Sequence, residues 1–103
     1  MRTGWTAVVL LLAMTGPACA QDRERLYQRS VAAACAQCHG TDGVPAPGSS
    51  LRPLAGKARE ELVAQLKAFK AGTRPGTIMP QLSKGYSDAQ IELLASYFAT
   101  VSK

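Results

Sequence analysis

Cys35-Ala36-Gln37-Cys38-His39 is the stretch from which the rest of this 103-residue sequence is read. Two thiols stand three positions apart and an imidazole follows the second directly. On the N-terminal side, Asp22 to Ala34 has helical spacing. Leu26, Ser30 and Ala33 share one face, Tyr27 and Ala34 lie beside it, and Arg23, Arg25 and Arg29 point largely elsewhere. Ala32-Ala33-Ala34 adds a run of the best helix former. On the C-terminal side, Gly40 to Gly56 is punctuated by Gly43, Gly48, Pro45, Pro47 and Pro53, which leaves no helix or strand period and predicts a long loop. Arg59 to Ala71 reads as a second helix, with Leu62, Leu66 and Phe69 at i, i+4 and i+7 and Gly72 as its stop. Thr73 to Tyr86 is a second loop, holding Pro75, Gly76, Pro80, Gly85 and, between them, Met79. Ser87 then opens a third helix. Ser87-Asp88-Ala89-Gln90 is a capping box, and Ile91, Leu94, Ala95, Phe98 and Val101 form a wide apolar face. No run alternates as a strand does, and no internal repeat is present. The expected fold is all-α, with three main helices and two long loops.

The length holds one small domain and excludes a barrel enzyme or a two-domain dehydrogenase. With 47% hydrophobic and 18% charged residues, the composition is that of a folded chain. The first twenty residues read as a secretory signal peptide: Arg2, then the apolar run Ala7 to Met14, the breakers Gly16 and Pro17, and Ala18-Cys19-Ala20 as a small-x-small cleavage site. The apolar run is far shorter than the ~20 residues a membrane span needs. The reading is cleavage after Ala20, a domain over 21–103 and a periplasmic location. The alternative is a lipoprotein anchored through Cys19, although Gly16 stands where such signals usually carry Leu.

Removing the leader takes away Trp5, Cys19, Met1 and Met14. One His, one Met and two Cys remain: His39, Met79, Cys35 and Cys38. A domain this small buries a thin core and usually needs a staple. A disulfide between residues three apart closes too small a loop to serve. A zinc site needs more ligands than are left, and a thioredoxin-like motif needs a βαβ context that is missing. Followed by His, the C-x-x-C pair is the attachment signature of covalently bound haem c. Cys35 and Cys38 at a helix end reach the two vinyl groups on one porphyrin edge, and His39 projects to the iron. Met79 is the candidate for the opposite axial position. It sits in a Pro/Gly loop rather than on an apolar helix stripe, and Pro80 fixes the chain direction beside it. The plainer reading is that Met79 packs on the ring, with water or nothing on the iron. Two strong ligands leave no open site for a substrate. The expected function is therefore one-electron transfer, with no catalytic residue of its own.

With these residues in place, nearly all of 21–103 resembles class I c-type cytochromes. The likeness rests on Cys35-Ala36-Gln37-Cys38-His39-Gly40, Pro53-Leu54-Ala55-Gly56, the segment Leu62 to Arg74, Met79-Pro80, and Leu93-Leu94-Ala95-Ser96-Tyr97-Phe98. Within that class it is similar to one half of dihaem cytochrome c4. It is also similar to the cytochrome subunit of flavocytochrome c sulfide dehydrogenases, above all over Met79 to Asp88. The resemblance implies a first helix packed near-perpendicularly on the last, around Leu26, Ser30, Leu94 and Tyr97. It also implies a backbone carbonyl that accepts the proximal His N–H. Relatives often carry Pro-x-Leu-x-Gly for this; here Arg52 takes the Pro position and Pro53 follows, so either carbonyl is a candidate. A single haem motif is a second departure from the dihaem relatives.

The net charge of +5 drops by one with Arg2. There is no dense basic run or aromatic platform for nucleic acid. The expected partners are redox proteins, with a flavoprotein subunit or a terminal oxidase as candidates. Lys67, Lys70, Arg74 and Lys84 are candidates for a ring of charge that steers acidic partners, against the alternative of a merely solvated face.

Overall fold

A computed structural model describes residues 16–101. Most of the expected leader, residues 1–15, lies outside the described residues. Five helices and a 3₁₀ turn follow one another: α1 Gly16–Ala33, α2 Ala36–His39, the turn Thr41–Gly43, α3 Arg59–Ala71, α4 Met79–Ser83 and α5 Asp88–Thr100. The described residues form no strand. None of their helices is long and apolar enough to cross a membrane.

The long helices end where their local chemistry requires. The Ser87 hydroxyl accepts the Gln90 N–H at 3.1 Å, and the Gln90 side chain accepts the Ser87 N–H at 3.0 Å, a reciprocal cap for α5. α3 carries Glu60 and Glu61 in its first turn and Lys70 in its last, the order its dipole favours. Gly72 stops it at φ 77°. Gly72 N–H donates to the Phe69 carbonyl, and Thr73 N–H reaches the Ala68 carbonyl at 3.0 Å, a closing pattern of Schellman type.

α5 lies at the centre, packed on α1 and α3, while α4 packs on α3. Leu94, Ala95 and Phe98 meet Ala32 of α1 and Leu62 of α3 in the core, with Val31, Leu54, Val63, Leu66, Tyr86 and Tyr97 around them. Polar links reinforce both packings. Gln28 donates to the Leu93 carbonyl at 3.3 Å across α1 and α5. Arg59 pairs with Glu92, Lys67 reaches the same carboxylate at 3.3 Å, and Lys70 reaches Asp88 at 3.0 Å across α3 and α5. These pairs are largely exposed, so each contributes less than about 1 kcal/mol.

The architecture is the expected one, with four corrections. First, α1 extends upstream of Asp22, over Gly16–Ala33. Second, the α1–α5 contact is not centred on Leu26 and Ser30. Leu26 is 69% exposed and Ser30 is exposed; Ala32 is the buried residue, with Val31 and Gln28 beside it. The small Ala32 side chain lets the helices approach there, and upstream the contact continues through polar groups, Gln28 to the Leu93 carbonyl and Gln90 to the Tyr27 hydroxyl. Third, Ala33 and Ala34 are exposed, and α1 ends at Ala33. Fourth, the loops are partly ordered: the 3₁₀ turn interrupts the first and α4 the second.

Candidate functional site

Cys35, Cys38 and His39 are arranged by one tight turn. The Cys35 N–H donates back to the Ala32 carbonyl at 3.1 Å, which closes α1. The Cys35 carbonyl then accepts from His39 N–H at 2.9 Å and from Cys38 N–H at 3.3 Å. The two thiols and the imidazole therefore leave a single helical turn. Cys35 is partly buried and Cys38 exposed, and burial pushes the Cys35 thiol up from its ordinary range.

Gly40 ends the motif at φ 83°. A Cβ there would stand 1.8 Å from the Val44 carbonyl oxygen, so only glycine lets the chain fold back behind His39. That reversal delivers the segment Leu51–Gly56 to the imidazole. His39 Nδ1 lies 2.7 Å from the Arg52 carbonyl oxygen. A carbonyl only accepts, so Nδ1 carries the proton and Nε2 keeps its lone pair free for a metal. Of the two carbonyls the sequence left open, Arg52 is the one, and Pro53 is not used.

Met79 opens α4, with Pro80 second in that helix; it is half-buried. The expectation of a loop position is corrected. A single helical turn forms because Pro80 fits a helix's first turn, and the Ile78 carbonyl accepts from Gln81 and Leu82 N–H at 3.0 Å each. One turn beyond Met79, the Ser83 hydroxyl is fully buried and has no partner.

The donor set suits a haem and no ordinary metal site. No group of three or more His, Cys, Asp or Glu side chains converges among the described residues. The segments around His39 and Met79 instead expose large apolar side chains: Val44 and Leu51 in the first, Ile78 and Leu82 in the second. Such side chains normally find cover, and a flat apolar macrocycle is cover of the right kind. Two thiols one turn apart, an imidazole with its tautomer set by Arg52, a thioether and this apolar lining together fit haem c.

Of the four basic residues that are candidates for a steering ring, Lys84 is exposed and the other three have partners within the chain. Lys67 and Lys70 are engaged with Glu92 and Asp88, and Arg74 stacks over the Phe69 ring at 4.9 Å from its centroid. Sequence reasoning missed Asp42 and its partner. Asp42 is the only described non-glycine residue with positive φ, at 55°, and it accepts a hydrogen bond from the Tyr97 hydroxyl. The signal was the Thr41-Asp42-Gly43 turn directly after the motif, since Asp tolerates that conformation better than most residues.

The family profile described as cytochrome c oxidase, cbb3-type, subunit III matches residues 18–98. The chain is 44% identical over 70 residues to the cytochrome subunit of sulfide dehydrogenase of Chlorobaculum tepidum, covering 67% of this chain and 61% of that one. It is 39% identical over 72 residues to the thiosulfate dehydrogenase electron acceptor of Stutzerimonas stutzeri, covering 67% of this chain and 33% of that one. The solved cytochrome c4 of Acidithiobacillus ferrooxidans superposes with a TM-score of 0.62 at 37% identity, over 66% of this chain and 38% of that one. This chain thus spans between a third and three fifths of these proteins' lengths.

Proposed function

The chain belongs to the cytochrome c family, and we propose that Cys35 and Cys38 hold its haem c while His39 and Met79 ligate the iron. It has the class I cytochrome c fold and is an electron carrier, not an enzyme. The bound haem supplies a one-electron couple between ferric and ferrous iron. The protein's part is to fix that couple in place and set its potential. The observation that carries the site assignment is the 2.7 Å approach of His39 Nδ1 to the Arg52 carbonyl, directly after the two thiols. It leaves Nε2 as the ligating nitrogen and makes the imidazole a stronger donor. Met79, a soft thioether, would favour ferrous iron and raise the potential.

The location is periplasmic, with the leader removed after Ala20. The leader's sequence supports this: a charged start, a short apolar run and Ala18-Cys19-Ala20. The electron donor is a dehydrogenase acting on reduced sulfur compounds, a reading supported by the names of the two relatives reported above. The 44% identity to a sulfide dehydrogenase cytochrome subunit favours a second form of it, in which this chain is bound to a flavoprotein rather than diffusing freely.

An absorption spectrum and a carbon monoxide titration test the coordination. The reduced native protein is expected to show haem c bands and no rapid carbon monoxide binding at neutral pH. Met79→Ala is expected to bind it readily. Rapid, complete binding by the native protein would overturn the Met79 assignment. Flavin bands co-purifying with the haem would mark an enzyme subunit, and a haem-only particle of monomer size a free shuttle.

A further inference from the structure

The last turn of α5 grips the two pieces of chain that set the His39–Arg52 hydrogen bond. The Tyr97 hydroxyl donates to Asp42 Oδ1 in the turn that follows His39. The Phe98 carbonyl accepts the Gly56 N–H at 2.9 Å, which pins the segment that supplies Arg52. Between them, the Gly43 carbonyl accepts from Leu54 N–H at 2.9 Å and from Ala55 N–H at 3.1 Å, and joins the turn to that segment. The joint is close: a Cβ on Gly43 would meet Ala55 N, Leu54 Cβ and Phe98 Cδ1, each at 2.9 Å. Asp42 holds φ 55°, a left-handed conformation that costs Asp less than most residues but is still disfavoured relative to glycine.

We infer that Tyr97 and Asp42 are a positioning pair for His39: the phenol holds the strained turn, and the turn holds the Arg52 carbonyl against His39 Nδ1. The inference rests on His39 being the proximal ligand. The hydrogen bond to Asp42 also raises the Tyr97 phenol above its ordinary range, so the donor keeps its proton through neutral and mildly alkaline pH; Arg29 acts in the opposite sense. The pair has two effects of one sign on the iron. A firm Arg52–His39 bond makes the imidazole a stronger donor, and the Asp42 carboxylate adds negative charge nearby. Both stabilise ferric iron, so loss of either raises the reduction potential.

The test uses the haem-loaded protein and three variants, Tyr97→Phe, Asp42→Asn and the double. The expected result is a higher midpoint potential in each single variant and a rise in the double that is smaller than the two added. Exchange of the His39 Nδ1 proton with solvent, followed by NMR, is expected to speed up about tenfold in Tyr97→Phe. Asp42→Gly keeps the measurement possible if Tyr97→Phe folds poorly, because it relieves the positive φ while removing the carboxylate; its proton exchange is also expected to accelerate. Unchanged potential and exchange in variants with normal haem spectra would overturn the positioning role alone. Absence of hyperfine-shifted imidazole signals in the unmodified ferric protein would instead overturn His39 ligation, and this inference with it.

Discussion

A single side chain's surroundings decide what it can do at this site, and His39 is the clearest instance. Free in solution, its two nitrogens would compete for the proton; here the Arg52 carbonyl at 2.7 Å assigns it to Nδ1. The motif residues were legible in the sequence because covalent attachment needs fixed residue types at fixed spacing. The choice between Arg52 and Pro53 was not, because two adjacent carbonyls look alike until the chain's direction is known. Gly40 is the residue on which that direction turns. Gly40→Ala is expected to lower stability by about 3 kcal/mol or more, since it combines a positive φ with a backbone clash. Thermal unfolding of the haem-loaded variant measures it, and a loss below about 1 kcal/mol would show that the reversal behind His39 tolerates a side chain.

Helix by helix, local signals are reliable at the ends that carry caps and unreliable elsewhere. α3 ends and α5 begins where their caps require, because Gly72 and the Ser87–Gln90 box act within one turn of chain. α1 runs further upstream than its periodicity suggested, and α4 was missed, because five residues are too few for a period to show. α5 also receives a charge partner that no local pattern revealed. A hydrogen bond from Lys70 holds the Asp88 carboxyl below its ordinary value of 3.8. A carboxyl lowered on folding contributes stability above its unfolded pKa, and loses it as pH falls through the lower folded one. Asp88→Asn is expected to lose less stability than the native protein between about pH 4 and the lowered pKa, with the difference absent below it. Chemical denaturation at a series of acid pH values checks this; parallel curves for the two proteins across that range would refute it.

As a whole molecule, the chain has less apolar core than its length would like. Among the described residues the buried hydrophobics are Ala32, Ala55, Leu62, Ile91, Leu94, Ala95 and Phe98, of which three are alanines. Meanwhile Val44, Leu51, Ile78 and Leu82 stay exposed on the segments around His39 and Met79. A haem covering these side chains would supply a large part of the hydrophobic burial. Replacing both thiols, Cys35→Ser with Cys38→Ser, is expected to give a haem-free chain without a cooperative thermal transition. Calorimetry checks this, and a sharp transition in that variant would show that the helices hold together unaided. By itself the sequence determined the all-α class, the haem c cofactor and the residues proposed to hold it, because covalent attachment and helical amphipathicity are written in spacing along the chain. The tertiary structure alone decided which carbonyl orients His39, where α1 meets α5, which lysines are engaged, and that Tyr97 reaches Asp42. Each of those joins residues at least 13 positions apart, and such pairs are set by how packed helices bring distant chain together rather than by any local pattern.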